Sequence, residues 1–288
     1  MRVYFNIIIS CLLAGIVVCL VACNSHSPAD EPEPQPQSVG VKVLEYCPAM
    51  GQFVNVLPLY EDGDTHESMC RKVESMFADD GVISLGGFGG YVTMWLGEPI
   101  PNTPEKHDFM VKGNAFLASG SEKMGNSEPG VVWVSQDLNN NNLPDDEWYQ
   151  LAGSEYYKPE TDHHYKKTWY KSDTTLNNPF HRQPYFPQWI ADTVIQVEGT
   201  CLHTEHSMEG GVIAQQILTY GYVDNRPNSD TLGISFDLDW AVDDNGEHVL
   251  LEYCDFVRVV TAVDKVYSGI GELSTEVGAL ERFGDSRH

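Results

Sequence analysis

"SLGGFGGYVTMWLGEPI", residues 84–100, can be read in two ways, and the choice decides the fold. If Gly86, Gly87, Gly89 and Gly90 cradle a phosphate, a helix must open directly after them, inside a βα unit. If they are places where backbone packs close to backbone, a strand can follow. Tyr91 to Leu96 alternates with period two, so a strand follows and the glycines are expected to be close-packed or bulged strand backbone.

Working outward, the same signature recurs. "HDFMVKGNAF", "GVVWVSQD", "VIQVEGT", "GVIAQQILTYGY", "LGISFDLDWAV" and "FVRVVTAV" are β-rich runs bounded by Gly, Pro, Asn and Asp. Strands do not alternate regularly with helices, which excludes a doubly wound parallel sheet. No repeat of solenoid or propeller period is present. The expected fold is all-β: an antiparallel β-sandwich, jelly-roll-like, with one or two short helices. The first helix lies in "DTHESMCRKVESMFADD". There Asp64 or Thr65 caps, Glu67 reaches back, and Met69, Val73, Met76 and Phe77 share a face. A second is expected over 275–283.

The 288 residues do not all belong to that fold. Residues 1–22 carry Arg2 and then an apolar run too short to span a bilayer, which reads as a signal peptide. The run ends Leu20-Val21-Ala22-Cys23, which resembles the lipobox of bacterial lipoproteins and implies lipidation at Cys23. Residues 24–40, rich in proline and acid, read as a disordered tether. Residues 41–288 read as one sandwich domain with a long aromatic-rich insertion at about 155–192. The net charge of −25 makes nucleic acid and anionic membrane poor partners. Of seven cysteines, Cys47, Cys70, Cys201 and Cys254 remain for the folded part. Four allow three pairings, of which Cys47–Cys70 closes the shortest loop; Cys254 reads as a buried thiol.

The acidic loop "DLNNNNLPDDEWYQL", residues 137–151, carries the clearest chemistry. Oxygen-bearing side chains fall at loop positions 1, 3 and 5 (Asp137, Asn139, Asn141). Asn142 can turn sharply at position 6, and Leu143 offers a carbonyl at position 7, as in the first half of an EF-hand loop. Position 12 is Trp148, so the second half differs, with Asp145, Asp146 and Glu147 in place of the terminal glutamate. These carboxylates repel one another unless a cation neutralises them. A structural Ca²⁺ held by Asp137, Asn139, Asn141, Leu143, Asp145, Asp146 and Glu147 is therefore expected. Asp224, Asn225, Asp237 and Asp239 are candidates for a second cation site, whereas Asp243 to Gly246 reads as a hairpin turn.

No HExxH, CxxC or GxSxG motif occurs, and scattered acids are no sign of a glycosidase, so no catalytic residue is assigned. Aromatics crowd the segment from Tyr156 to Trp189, interleaved with His163, His164, Lys166, Lys167, His181 and Arg182. Such faces suit a sugar ring or a flat macrocycle, and Trp169, Tyr170, His181 and Tyr185 are the expected ligand contacts.

Several stretches together resemble a family of surface lipoproteins common in gut Bacteroidetes, described mostly as cell surface proteins. They are "EYCPAMGQFVN", "SLGGFGGYVTMWLGEPIPN", "DFMVKGNAF", "SEPGVVWVSQDLNNNNLPDDEWYQLAGSEY", "PQWI", "GYVDNRPN", "FDLDWAVDDNGEHVLLEYCDFVRVVTAV" and "GELSTEV". The resemblance implies a β-sandwich anchored in the outer membrane and facing the exterior. It also implies association with uptake systems, including corrinoid capture beside a TonB-dependent receptor. Cys47 and Cys254 depart from the family pattern, as does Asn142, where glycine is usual. The expected function is a calcium-stabilised binding module that captures a nutrient, cobalamin or a glycan, for an outer-membrane transporter. A surface adhesin or scaffold without a small ligand, and a glycan hydrolase, are the alternatives.

Overall fold

The computed structural model describes residues 36–38, 40–171, 184–209, 212–267 and 271–283. The expected signal segment, Cys23, most of the tether and His181 lie outside the described residues.

Six strands form the principal sheet: β1 (Lys42–Cys47), β2 (Tyr91–Pro101), β3 (Gly130–Ser135), β4 (Trp148–Leu151), β5 (Ala241–Val242) and β6 (Tyr253–Thr261). Their spatial order is β5-β4-β3-β6-β2-β1, and every pair is antiparallel. The unbroken apolar run of β3 has a direct cause. Val132 and Val134 face the larger core with Val257 and Val259 of β6, while Val131 and Trp133 face a second core with Val260. A strand covered on both faces needs no polar side.

The larger core is closed by a second antiparallel sheet that includes Phe109–Val111, Ser235–Phe236 and Leu280–Phe283. Phe109 and Phe236 stack across it at 5.4 Å. Two packed sheets make an all-β sandwich, with helix α1 (His66–Ala78) as its α-helix among the described residues. Thr65 caps α1, but Ser68 completes the capping box. Glu67, expected to reach back, instead pairs with Arg71 at 2.6 Å. Met69, Cys70, Val73 and Phe77 are buried, and Met76 packs at the margin.

The glycines of the opening stretch are close-packed backbone. A Cβ on Gly87 would stand 2.8 Å from the Trp169 ring, and one on Gly89 would stand 2.4 Å from Val197. Gly89 also has φ +82°, which side chains disfavour. Its N–H donates to Thr261 O, and the Thr261 N–H returns to Gly90 O. The glycines thus seat the aromatic hairpin, Asp162–Tyr170 paired with Val194–Cys201, against the end of β6.

One expectation fails, and the shortest of the open cysteine pairings does not form. Residues 275–283 are not a helix: Glu276–Val277 pairs with Ile83–Ser84, and Leu280–Phe283 pairs with Phe109–Val111. A nine-residue helix interrupted by Gly278 is marginal, and two waiting strand edges outcompete it. The Cys47–Cys70 bridge is absent, and all four cysteines are free thiols. The His66 ring stands against both, 3.8 Å from the Cys47 Sγ and 3.9 Å from the Cys70 Sγ. Cys254 is fully buried, as expected. Asp243 to Gly246 forms the expected turn, with the Asp243 N–H donating to Glu247 O and the Gly246 N–H to Asp243 O.

Candidate functional site: two acidic centres and an aromatic hairpin

The acidic loop joins β3 to β4 and closes on itself. The carboxylate of Asp137 accepts the N–H groups of Asn141 (3.0 Å) and Asn142 (2.8 Å), one on each oxygen. The side-chain oxygens of Asn139 and Asn141 accept the N–H groups two residues on, at 3.0 and 2.7 Å. Asn140 and Asn142 take the left-handed conformation, φ 57° and 58°, which asparagine tolerates. From the far side Asp145 accepts the amide groups of Asn139 and Asn141, and Asp146 accepts the Leu138 N–H. Five expected ligands are thus tied into one hydrogen-bonded loop, although Asp137, Asp145 and Asp146 do not bring three carboxylate oxygens within 4.8 Å of one another. Glu147 does not join them, because its carboxylate accepts the Tyr149 hydroxyl at 2.8 Å. Leu143 donates its N–H to Asn141 and leaves its side chain exposed.

Asp255 of β6 was not visible as part of this site. Its carboxylate accepts the Asp137 N–H at 2.7 Å. Burial raises its proton affinity, and the charges of Asp137 and Asp146 add to that. A carboxylate oxygen that accepts one amide keeps a lone pair for a cation. The loop therefore offers hard oxygen donors around a partly solvated centre, the environment a Ca²⁺ ion prefers.

A second acidic centre is buried. Glu128, Asp224 and Glu276 each bring a carboxylate oxygen to within 4.8 Å of the others, and among the described residues this is the only such group of three. Asp224 is fully buried and held in the left-handed region, φ 54°. Its two oxygens accept the N–H groups of Asn114 (2.8 Å) and Glu276 (2.9 Å). Glu128 accepts the Ser274 N–H, and Glu276 accepts the Ser274 hydroxyl. Gly113 permits this, since a Cβ there would meet Asp224 at 2.7 Å. Desolvation pushes all three carboxyl groups well above the ordinary range; the charge of Asp224 adds to it at Glu128, and the charges of Glu128 and Asp224 add to it at Glu276. Three bare anions cannot share a dry pocket, so the cluster must share protons or hold a cation. The second cation site expected from sequence does not assemble. Asp224 belongs to the buried centre and the Asn225 side chain bonds Ser127 and Leu218, whereas Asp237 caps a short 3₁₀ turn and Asp239 accepts the Asn102 amide.

The aromatic hairpin distributes its expected ligand contacts unevenly. Trp169 donates its indole N–H to Phe88 O at 3.0 Å and covers Gly87. Tyr185 is buried, and its carbonyl accepts the Gly51 N–H. Tyr170 is 66% exposed and stands free to meet a ligand. The segment after residue 183 is pinned to the sandwich, with Asn55 bonding the carbonyls of Pro184 and Phe186 and Trp189 stacking on Tyr46 at 5.5 Å. No protein-family model matches the chain, and no curated protein matches it.

Proposed function

We propose that the protein is a lipid-anchored, outer-surface binding module that captures a nutrient, a corrinoid or a glycan, for an outer-membrane transporter. Calcium in the loop 137–147 braces its scaffold. One observation favours binding over turnover. Every described carboxyl group pushed to about neutral pH or above is buried and hydrogen-bonded within the fold. Burial lifts Asp108 to about 7, against the pull of the Thr103 and Leu238 N–H groups, and lifts Glu272 to about 7 against the Gln52 N–H. Glu128, Asp224 and Glu276 are the others. A hydrolase needs such an acid at an open cleft beside its substrate.

Lipidation at Cys23 would put the module on the membrane, and the proline-rich tether would give it reach. Calcium fits the loop because its donors are oxygens spread around a solvated centre. The buried centre would stay protonated, because desolvation outweighs the N–H groups that Asp224 accepts from Asn114 and Glu276. A melting-temperature screen with cobalamin and a neutral glycan panel tests the reading. One ligand class should raise the melting temperature, with no turnover of the glycans. Hydrolysis of a glycan would replace the reading with the hydrolase, and indifference to every ligand would replace it with the adhesin.

A further inference from the structure

A cleft of about 530 Å³ opens beside the short 3₁₀ turn at Leu238–Trp240, lined by His107, Tyr220, Arg226, Asp230, Leu232 and Trp240. It lies outside the aromatic hairpin and both acidic centres. We propose that it is the ligand site, and that its ligand is a neutral oligosaccharide.

Three aromatic rings line one wall. Tyr220 and Trp240 stand 4.9 Å apart with their planes at 52°, and His107 meets Trp240 edge-on at 5.5 Å and 80°. No two of these rings are parallel, so they form a corner rather than a slot. A flat macrocycle needs parallel faces. A pyranose ring, apolar on its C–H face and polar around its rim, fits a corner. Tyr220 and Leu232 are both exposed at the opening, large apolar side chains that water solvates poorly.

The same lining supplies the polar partners, already positioned. The Arg226 Nε donates to the carbonyls of Leu218 and Thr219, both at 3.1 Å, and its Nη1 donates to Asp230 at 3.0 Å. Among the described residues Nη2 has no protein partner. Asp230 is fixed in turn by the Gly233 N–H at 3.0 Å. The pair lies flat on Gly233, where a Cβ would stand 2.2 Å from the Arg226 Cδ and 2.6 Å from the Asp230 Oδ2. A donor and an acceptor locked side by side match vicinal hydroxyls, and holding them in advance lowers the ordering cost of binding.

The charge argues for a neutral sugar. Asp230 already neutralises Arg226, so an acidic sugar would have to compete with Asp230 on a chain of net charge −25. The length argues for more than one unit. A second depression of about 780 Å³, lined by apolar Leu117, Met124 and Ile217 and by polar Glu122, Lys123, Glu205 and Gln216, shares Thr219 and Arg226 with the first. The two make one groove.

This inference rests on the binding-module reading and names its ligand class and site. The test is calorimetric titration of the purified mature chain with neutral gluco-, xylo- and manno-hexaoses in α and β linkage, and with cobalamin. One hexaose should bind and perturb tryptophan fluorescence. Tyr220→Ala and Asp230→Asn should each weaken it at least tenfold, while Leu59→Ala, exposed beside helix α1 and in neither lining, should not change it. Circular dichroism and the melting curve establish that each variant is folded. Because Tyr220 lies at the surface, its truncation should leave the fold intact. Binding of cobalamin but of no hexaose overturns the inference and leaves the capture reading standing; binding of neither overturns both. Hexaose binding untouched by Tyr220→Ala and Asp230→Asn places the site elsewhere and also overturns it.

Discussion

The acidic loop at 137–147 and the buried centre of Glu128, Asp224 and Glu276 face one problem, negative charge gathered at short range, and meet it in opposite ways. The loop keeps its carboxylates near water and turns them toward amide hydrogens and amide side chains. The buried centre removes its carboxylates from water, so desolvation dominates and protons stay on. Like charges near the surface invite a cation, whereas like charges in the core become hydrogen-bonding acids that hold strands together.

The sharpest way to break this comparison is to delete one aspartate from each centre. Asp224→Ala leaves the Glu276 amide unpaired in the core and takes the partner from the part-buried Asn114 amide, and we expect a loss of about 3–5 kcal/mol in chemical denaturation. Asp137→Ala, in chelator, removes only partly solvated bonds and should cost about 1 kcal/mol. Equal losses would erase the distinction between the two centres.

Next in size is the response to calcium. Binding only to the folded state stabilises by roughly 2.7 kcal/mol at a hundredfold excess over Kd. Calcium at about 10 mM, a hundredfold excess over a Kd of about 10⁻⁴ M, should therefore raise the melting temperature by about 5–10 °C, at roughly 2–4 °C per kcal/mol. Asp137→Ala should abolish the gain, and Glu276→Gln should leave it. Loss of the gain in Glu276→Gln alone would move the cation to the buried centre.

The pH response has a definite sign. Asp108 and Glu272 titrate near 7 in the folded protein, and the buried centre is shifted in the same direction. Between the ordinary carboxyl range near pH 4 and about pH 7 the folded chain therefore holds more protons than the unfolded chain. Their contribution is present at the acidic end and is lost as pH rises through the window. In chelator the melting temperature should fall by several degrees from pH 5 to pH 7.5, and Asp224→Asn should flatten the slope. A rise over this range would mean that the buried acids are ionised. The smallest effect belongs to Asp255→Asn, which keeps the oxygen that accepts the Asp137 N–H and removes one charge. Calcium affinity should fall a few-fold, with little change in stability in chelator.

Why one centre was legible in the sequence and the other was not follows from their construction. The loop is local: five of its expected donors fall within ten residues, so their spacing alone carries the motif. Its sixth neighbour, Asp255, comes from 118 positions away and could not be read from spacing. Glu128, Asp224 and Glu276 sit in three separate stretches that only the sandwich topology brings together. Asp224 was instead grouped with Asp237 and Asp239, its nearer acids in the chain. The period-two pattern after Gly90 identified β2 and the all-β class, because alternation records burial directly. The same reasoning misplaced a helix at 275–283, where strand pairing with Ile83–Ser84 and Phe109–Val111 overrides a weak local pattern.

The central claim, that a hard divalent cation belongs to the exposed loop, is open to a direct optical measurement. The Trp148 indole donates to Pro144 O at 3.3 Å and so lies against the loop. Terbium, a luminescent calcium substitute, should therefore emit when tryptophan is excited. Calcium should displace that emission, and both Asp137→Ala and Trp148→Phe should remove most of it. Emission that survives Asp137→Ala, or its complete absence from the native protein, would contradict the claim.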